Sequence, residues 1–80
     1  MTSAQKLQSA FISAIGVSQN ADFDKVVFGQ TNGWDSVAHM ALVNEIESSF
    51  DIMLDTDDVI GMSSFNKAKE ILGKYGVVFS

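Results

Sequence analysis

The segment from Gly33 to Phe50 limits the choice of fold more than any other part of this chain of 80 residues. Asp35 suits the N-cap of a helix, because its carboxylate accepts hydrogen bonds from first-turn amides that have no partner within the helix. Apolar residues then recur at the spacing of one helical face, at Met40, Leu42, Val43, Ile46 and Phe50. The segment therefore predicts an amphipathic helix that begins at Ser36 and ends near Phe50.

A second helical pattern lies near the beginning of the sequence. Thr2 or Ser3 suits its N-cap, and Gly16 suits its end because glycine adopts the left-handed conformation at little cost. Its apolar face is formed by Leu7, Phe11, Ala14 and Ile15. These residues predict a first helix that begins near Thr2 or Ser3 and stops at Gly16.

Residues 17–33 are rich in Gln, Asn, Asp, Thr and Gly, and they predict a long loop between these two helices. The large apolar side chains of this loop should pack back onto the helices; they are Phe23, Val26, Val27 and Phe28. We expect one short helical turn around residues 24–28. A buried strand at residues 26–28 is the alternative, although the sequence shows no other strand to pair with it.

An acidic cluster at residues 51–58 precedes the next apolar residues. Carboxylates are favourable in a first helical turn, so residues 55–58 predict a short third helix over Val59, Ile60 and Met62. The cluster also invites comparison with a calcium-binding loop, but Val59 and Ile60 occupy the next ligand and glycine positions of that pattern. We therefore expect no specific metal site, only weak and diffuse cation binding.

A fourth helix completes the pattern, with Ser63 or Ser64 at its N-cap and Gly73 or Gly76 at its end. Its inward side chains are expected to be Phe65, Ala68, Ile71 or Leu72, and Tyr75. The whole chain predicts an all-α fold, a small bundle of three longer helices and a short third one, with the long loop between the first two. Residues 1–80 should form one monomeric domain of modest stability, because short chains bury only about 60% of their unfolded surface.

Composition excludes several classes of function. The net charge is −5 and the sequence has no arginine, which argues against nucleic acid as a partner. No apolar run approaches the roughly 20 residues that cross a bilayer, so we expect no membrane insertion. The chain has no cysteine, and its first residues lack the pattern of a secretion signal, so we expect a cytoplasmic protein.

Ser36 occupies a chemically distinctive position, since it follows the N-cap residue and lies beside the positive end of the helix dipole. A phosphate ester on its hydroxyl would be stabilised there by backbone amides. An isolated Asp-Ser pair would indicate only an ordinary helix start. Here a Gly turn precedes the pair, the apolar Val37 follows it, and one helical pattern lies before it and two after it.

Over essentially the whole chain this layout resembles the acyl carrier protein family, down to the Phe50-Asp51 step that closes the second helix. In that family the serine of an Asp-Ser-Leu or Asp-Ser-Met motif is modified, and Val37 replaces the usual Leu or Met here. The resemblance implies that Ser36 carries 4′-phosphopantetheine derived from coenzyme A. This modification would make the chain a phosphoprotein. The resemblance also implies that Asp35 helps the modifying enzyme to recognise the motif.

The resemblance further implies a carrier that holds an acyl or aminoacyl group as a thioester, and not an enzyme. Its partners would be a phosphopantetheinyl transferase and the enzymes that load and use the acyl group. The contacts with these partners would be made by Trp34, Val37, Ala38, His39, Ala41, Glu45 and Glu47. The acyl chain would enter a pocket lined by Phe28, Val43, Ile46, Met62 and Ala68.

The charge of the second helix departs from the family pattern. Carriers of fatty acid synthesis have a densely acidic second helix, whereas here only Glu45 and Glu47 lie between Asp35 and Asp51. Docking should therefore depend less on charge and more on shape and apolar contact. We expect a specialised carrier of a lipid, polyketide, aminoacyl or peptidyl pathway.

Several single residues have more than one interpretation. His39 has no cysteine or histidine partner for a metal or a catalytic dyad, so we expect a surface residue, with a contact to the arm or a partner as the alternative. Trp34 is expected to anchor the loop against the start of the second helix, and a partly exposed ring for recognition is a second interpretation that can hold beside the first. Met40, Met53 and Met62 are expected to fill the core.

A second class of function remains open on the sequence alone. The chain would then be an unmodified helical interaction module that keeps the fold and binds another protein through the region of Trp34. The presence or absence of a phosphopantetheinyl group separates the two possibilities.

Overall fold

The computed structural model describes residues 2–79 as a bundle of four α-helices, with one 3-10 turn at Phe23–Lys25 in the long connection. The helices are α1 (Ser3–Ile15), α2 (Ser36–Phe50), α3 (Thr56–Gly61) and α4 (Phe65–Lys74). Over residues 2–79 no β-strand is present, and none of these helices is long and apolar enough to cross a membrane. The predicted all-α bundle with a short third helix is confirmed.

The ends of α1 follow from local hydrogen bonds. Thr2 Oγ1 accepts from the Gln5 amide at 3.1 Å, and Gln5 Oε1 accepts from the Thr2 amide at 3.0 Å, which forms a capping box. At the other end Gly16 adopts a φ of 87° and donates to the Ile12 carbonyl. Both predicted boundaries are confirmed.

Aromatic side chains from three parts of the chain form the centre of the core. Phe11 of α1 lies edge-on to Trp34 at a ring-centroid distance of 5.3 Å and to Phe65 of α4 at 5.0 Å. Phe23 of the loop contacts Phe65 at 4.8 Å. Phe23 and Val26 of the loop are buried, as its apolar content predicted, whereas Phe28 is 42% exposed.

The loop also pairs with the chain just before α4. The Phe28 amide donates to the Ser63 carbonyl at 2.8 Å, the Phe65 amide donates to the Val26 carbonyl at 3.0 Å, and an isolated antiparallel bridge joins Val27 to Ser64. The expectation that residues 26–28 have no partner was wrong. Ser64, the N-cap of α4, has extended backbone with a φ of −160°, and the two hydrogen bonds involve the peptide groups on either side of it.

Two of the methionines expected in the core lie elsewhere. Met62 is buried, but Met40 and Met53 are exposed. Met40 lines a groove that Val59 and Ile60 of α3 also line, and Met53 lies in the connection between the two helices. Both positions depend on how α3 is placed, which helical spacing within one segment does not reveal.

Polar contacts hold α3 in place. Among its described residues α3 buries a single side chain, that of Asp58. The Asp58 carboxylate accepts hydrogen bonds from Lys74 Nζ and the Tyr75 hydroxyl at the end of α4, and the Asp55 amide donates to the same hydroxyl at 3.0 Å. This network attaches the first turn of α3 to α4.

Candidate functional site

The site is built around the first turn of α2. Asp35 has extended backbone, its Oδ1 accepts from the Ala38 amide at 2.9 Å, and its carbonyl accepts from the His39 amide at 2.8 Å. Asp35 is therefore the N-cap, as predicted, and Ser36 is the first helical residue. The Ser36 side chain is exposed, and the amides of Ser36 and Val37 belong to the first-turn donors that lack an acceptor within the helix.

A close approach of the backbone fixes the chain that leads into α2. Gly33 has a φ of 89°, and a Cβ built there would lie 2.5 Å from the Ile15 carbonyl oxygen. Only glycine fits this conformation and this contact without strain. The contact with the end of α1 thus fixes the position of Trp34 and Asp35, and with it the point at which α2 begins at Ser36.

Ser36 lines an apolar groove of about 420 Å³ between α2 and α3. The other lining residues are Phe28, His39, Met40, Val59, Ile60, Met62 and Ser63. The groove volume falls within the range of about 300–1,000 Å³ typical of small-molecule sites. An exposed hydroxyl at a helix N-terminus and an apolar groove are therefore adjacent.

The groove differs from the pocket expected from the sequence. Phe28 and Met62 line it, whereas Val43, Ile46 and Ala68 are buried elsewhere and are not part of its lining. Val43 and Ile46 lie seven and ten residues beyond Ser36, or roughly 10 and 15 Å along the helix axis, so they cannot border a groove at its first turns. Ile46 and Ala68 instead belong to the hydrophobic core.

His39 is not the exposed surface residue that we expected. It is half-buried, its ring stacks on Trp34 with centroids 5.9 Å apart, and Trp34 Nε1 donates to His39 Nδ1 at 3.0 Å. His39 Nε2 lies 2.7 Å from the Val59 carbonyl oxygen. The loop and α3 cover this residue from outside α2, so the spacing within α2 could not show its burial.

The partners of His39 determine its tautomer. An indole N–H can only donate, so His39 Nδ1 must accept from Trp34. The ring proton therefore lies on Nε2, which donates to the Val59 carbonyl. Both ring nitrogens are engaged, and His39 has no free lone pair to act as a base toward Ser36, although both residues line the groove.

Trp34 is an anchor of the loop and not an exposed recognition residue. Its side chain is only 3% exposed and contacts Phe11 and Phe28 edge-on. The anchoring interpretation is confirmed, and the second interpretation, a partly exposed ring, is wrong. A partner would find almost no Trp34 surface.

The remaining residues expected to contact partners divide into two groups. Val37, Ala41 and Glu45 are exposed, and Val37 is 79% exposed. Ala38 is half-buried, and Glu47 Oε2 accepts from the Leu54 amide at 2.8 Å, which ties the α2–α3 connection to α2. Glu47 is thus a structural residue.

Three features of this surface were not predicted from the sequence. Met40 and Ile60 expose apolar side chains beside the groove, and the Val59 carbonyl supplies the acceptor for His39. Helical spacing does not distinguish an exposed apolar residue from a buried one. The mixed apolar and acidic composition of residues 55–62 was the available indication that one face of α3 is open.

The acidic cluster does not form a metal site within residues 2–79, since no group of three or more His, Cys, Asp or Glu side chains there could hold an ion. The comparisons with known proteins add no relative: no family model, curated protein or solved structure matches this chain.

Proposed function

We propose that this protein is a carrier that holds an acyl or aminoacyl group on a phosphopantetheine arm attached to Ser36. One observation carries the proposal: the exposed Ser36 hydroxyl is at the first position of α2 and lines an apolar groove. Neither part alone would be informative. A helix can begin with serine for stability only, and a small bundle can have a shallow groove.

The residues present fit such a group. A phosphodiester at Ser36 Oγ would lie near the amides of Ser36 and Val37 and the positive end of the α2 dipole. The Asp35 carboxylate is already hydrogen-bonded to the Ala38 amide. Apolar side chains of Phe28, Met40 and other lining residues would remove an aliphatic group from water, which is favourable by about 25 cal/mol per Å².

The chemistry divides between the arm and the protein. The arm, when attached, supplies a thiol that carries the cargo as a thioester. The protein supplies the hydroxyl, a capped helix start that presents it, and an apolar groove beside it. Its partners would be a phosphopantetheinyl transferase and the acyl-loading and acyl-using enzymes of a specialised lipid, polyketide or related pathway.

A second candidate is an unmodified helical interaction module. The exposed apolar side chains of Val37, Met40 and Ile60 favour it, because clusters of such residues often mark a binding surface. The version that binds through Trp34 loses support, since that ring is buried. The carrier remains preferred because it also accounts for the position of Ser36.

The test is intact mass spectrometry after incubation with coenzyme A and a transferase of broad specificity. The wild type should gain one phosphopantetheinyl group, and Ser36→Ala should gain none. Ser63→Ala is the matched control, because Ser63 is exposed and lines the same groove; it should be modified like the wild type. Modification of Ser36→Ala would contradict the assignment, and no modification of any variant would favour the interaction module.

A further inference from the structure

The two attachments of α3 differ in position and in partner. Its first turn is tied to α4 through Asp58, as described above. Toward α2, the carbonyl of Val59 accepts from His39 Nε2. Ile60 is 76% exposed and Val59 is half-buried, so the apolar side chains within α3 bury little surface; the nearest buried apolar side chain is that of Met62, just after the helix. The hydrogen bond to His39 therefore provides a larger share of the attachment of α3 to α2 than a single bond provides for a well-packed helix.

The same bond spans the groove beside Ser36. His39 and Met40 line the groove from α2, and Val59 and Ile60 line it from α3. The bonded carbonyl belongs to the last turn of α3, where carbonyls lack donor partners within the helix. Any movement of α3 away from α2 must break the bond and leave that carbonyl without its donor, which costs free energy.

We propose that His39 is a positioning residue whose Nε2–H bond to the Val59 carbonyl holds α3 against α2 and thereby sets the width of the groove. Trp34 contributes by fixing the tautomer, since its N–H keeps the ring proton on Nε2. If the protein is the carrier proposed above, on which this step rests, His39 determines how well an acyl chain in the groove is shielded from solvent.

Two isosteric substitutions separate the two hydrogen bonds of His39. His39→Gln places an amide donor near the position of Nε2 and keeps the bond to Val59. His39→Asn places a carbonyl acceptor near the position of Nδ1, keeps the bond from Trp34, and does not reach Val59. His39→Ala removes both bonds. If the Val59 bond positions α3, the Gln variant should behave like the wild type and the Asn variant like the Ala variant.

The first measurement is amide hydrogen exchange by NMR on the unmodified protein. The Asp58 and Val59 amides, which donate to the Asp55 carbonyl, should exchange about 2- to 10-fold faster in the Asn and Ala variants, the range expected for one lost hydrogen bond. The amides of α1 should exchange at the wild-type rate. Equal α3 exchange in the Gln and Asn variants would overturn the proposal. Equal acceleration of α1 and α3 would show general destabilisation and would also overturn it.

For the second measurement, a phosphopantetheinyl transferase attaches the octanoyl-phosphopantetheine arm of octanoyl-coenzyme A to Ser36. Cleavage of the thioester by hydroxylamine should be about 2- to 10-fold faster in the Asn and Ala variants than in the wild type and the Gln variant. An acetyl group is too short to depend on the groove and should be cleaved equally in all four. Equal octanoyl cleavage would refute the role of His39 in the groove. Failure of every variant to be loaded would refute the carrier function, and hydrogen exchange alone would then decide the role of His39.

Discussion

Asp58 on α3 forms an ion pair with Lys74 at the end of α4, 16 residues further along the chain. The Lys74 ammonium and the Tyr75 hydroxyl donate to the Asp58 carboxylate, and they hold the pKa of Asp58 below its ordinary value of 3.8. The same contact raises the pKa of Lys74. A residue that belonged to an acidic cluster in the sequence is thus a buried attachment point between two helices.

The first prediction is a loss of stability in acid that depends on Asp58. Because its pKa is lower in the folded state, the unfolded chain binds a proton first, and the ion pair stabilises the fold above about pH 4 and ceases to do so as the pH falls further. Asp58→Asn should therefore melt below the wild type at neutral pH, and the difference should shrink below pH 4. Thermal unfolding followed by circular dichroism across this range measures it.

Asp57→Asn is the control for this experiment, because Asp57 lies in the same helical turn but is exposed. It should melt close to the wild type at every pH. A difference between Asp58→Asn and the wild type that stays constant with pH would show that the charge of Asp58 is not what holds α3.

The second prediction contrasts two glycines. Gly33→Ala should destabilise the fold by about 1–3 kcal/mol or more, because a Cβ would meet the Ile15 carbonyl and the positive φ is unfavourable for alanine. Gly73→Ala should stabilise it by about 0.5–1 kcal/mol, since Gly73 lies in α4 with open space around it and alanine is the better helix former. Urea unfolding measures both. Equal effects of the two substitutions would rule out the contact between Gly33 and α1 as a constraint.

The third prediction concerns ionic strength. The net charge of −5 on a small domain should make moderate salt stabilising, because salt screens repulsion between exposed carboxylates such as Asp51, Asp55 and Asp57. Melting temperatures with and without added sodium chloride measure the effect. Asp55→Asn should reduce the gain. A melting temperature that falls with salt would mean that salt weakens the ion pair between Asp58 and Lys74 more than it relieves the repulsion between carboxylates.

The fourth prediction rests on the proposed carrier function and concerns partner choice. Of the two glutamates of α2, Glu47 is engaged by the Leu54 amide, so only Glu45 is available for charge pairing with a partner. The modified protein should therefore be a poor substrate for condensing enzymes of primary fatty acid synthesis. Ala41→Glu combined with Ser48→Glu adds charge at two exposed positions and should raise turnover, most clearly at low salt.

Steady-state kinetics with one such condensing enzyme decides this fourth prediction. Ala41→Gln with Ser48→Gln is the matched control, since it adds side chains of the same size without charge. Equal gains in the Glu and Gln variants would show that contact area, and not charge, limits docking. A wild type as active as a fatty-acid carrier would contradict the specialised assignment.

The sequence by itself determined the helices and most of their ends; the predicted third helix reached Met62, whereas α3 ends at Gly61. Thr2, Gly16, Asp35 and Ser64 were predicted as caps or stops, and each performs that role through contacts within four residues. Such contacts depend only on neighbouring side chains and local backbone conformation, so they can be read without knowledge of the fold. The position of Ser36 at the start of α2 was predictable for the same reason.

The tertiary structure alone decided the groove and the environment of His39. Contacts of His39 with Trp34 and Val59 join α2 to a loop residue and to α3, and they exist only because both cover the same face of α2. Val43 and Met40 illustrate the same dependence, since the first is buried and the second exposed although both are apolar positions of one helix. Periodicity identifies an apolar face, but which part of that face is covered depends on how distant segments pack, and that is a property of the whole fold.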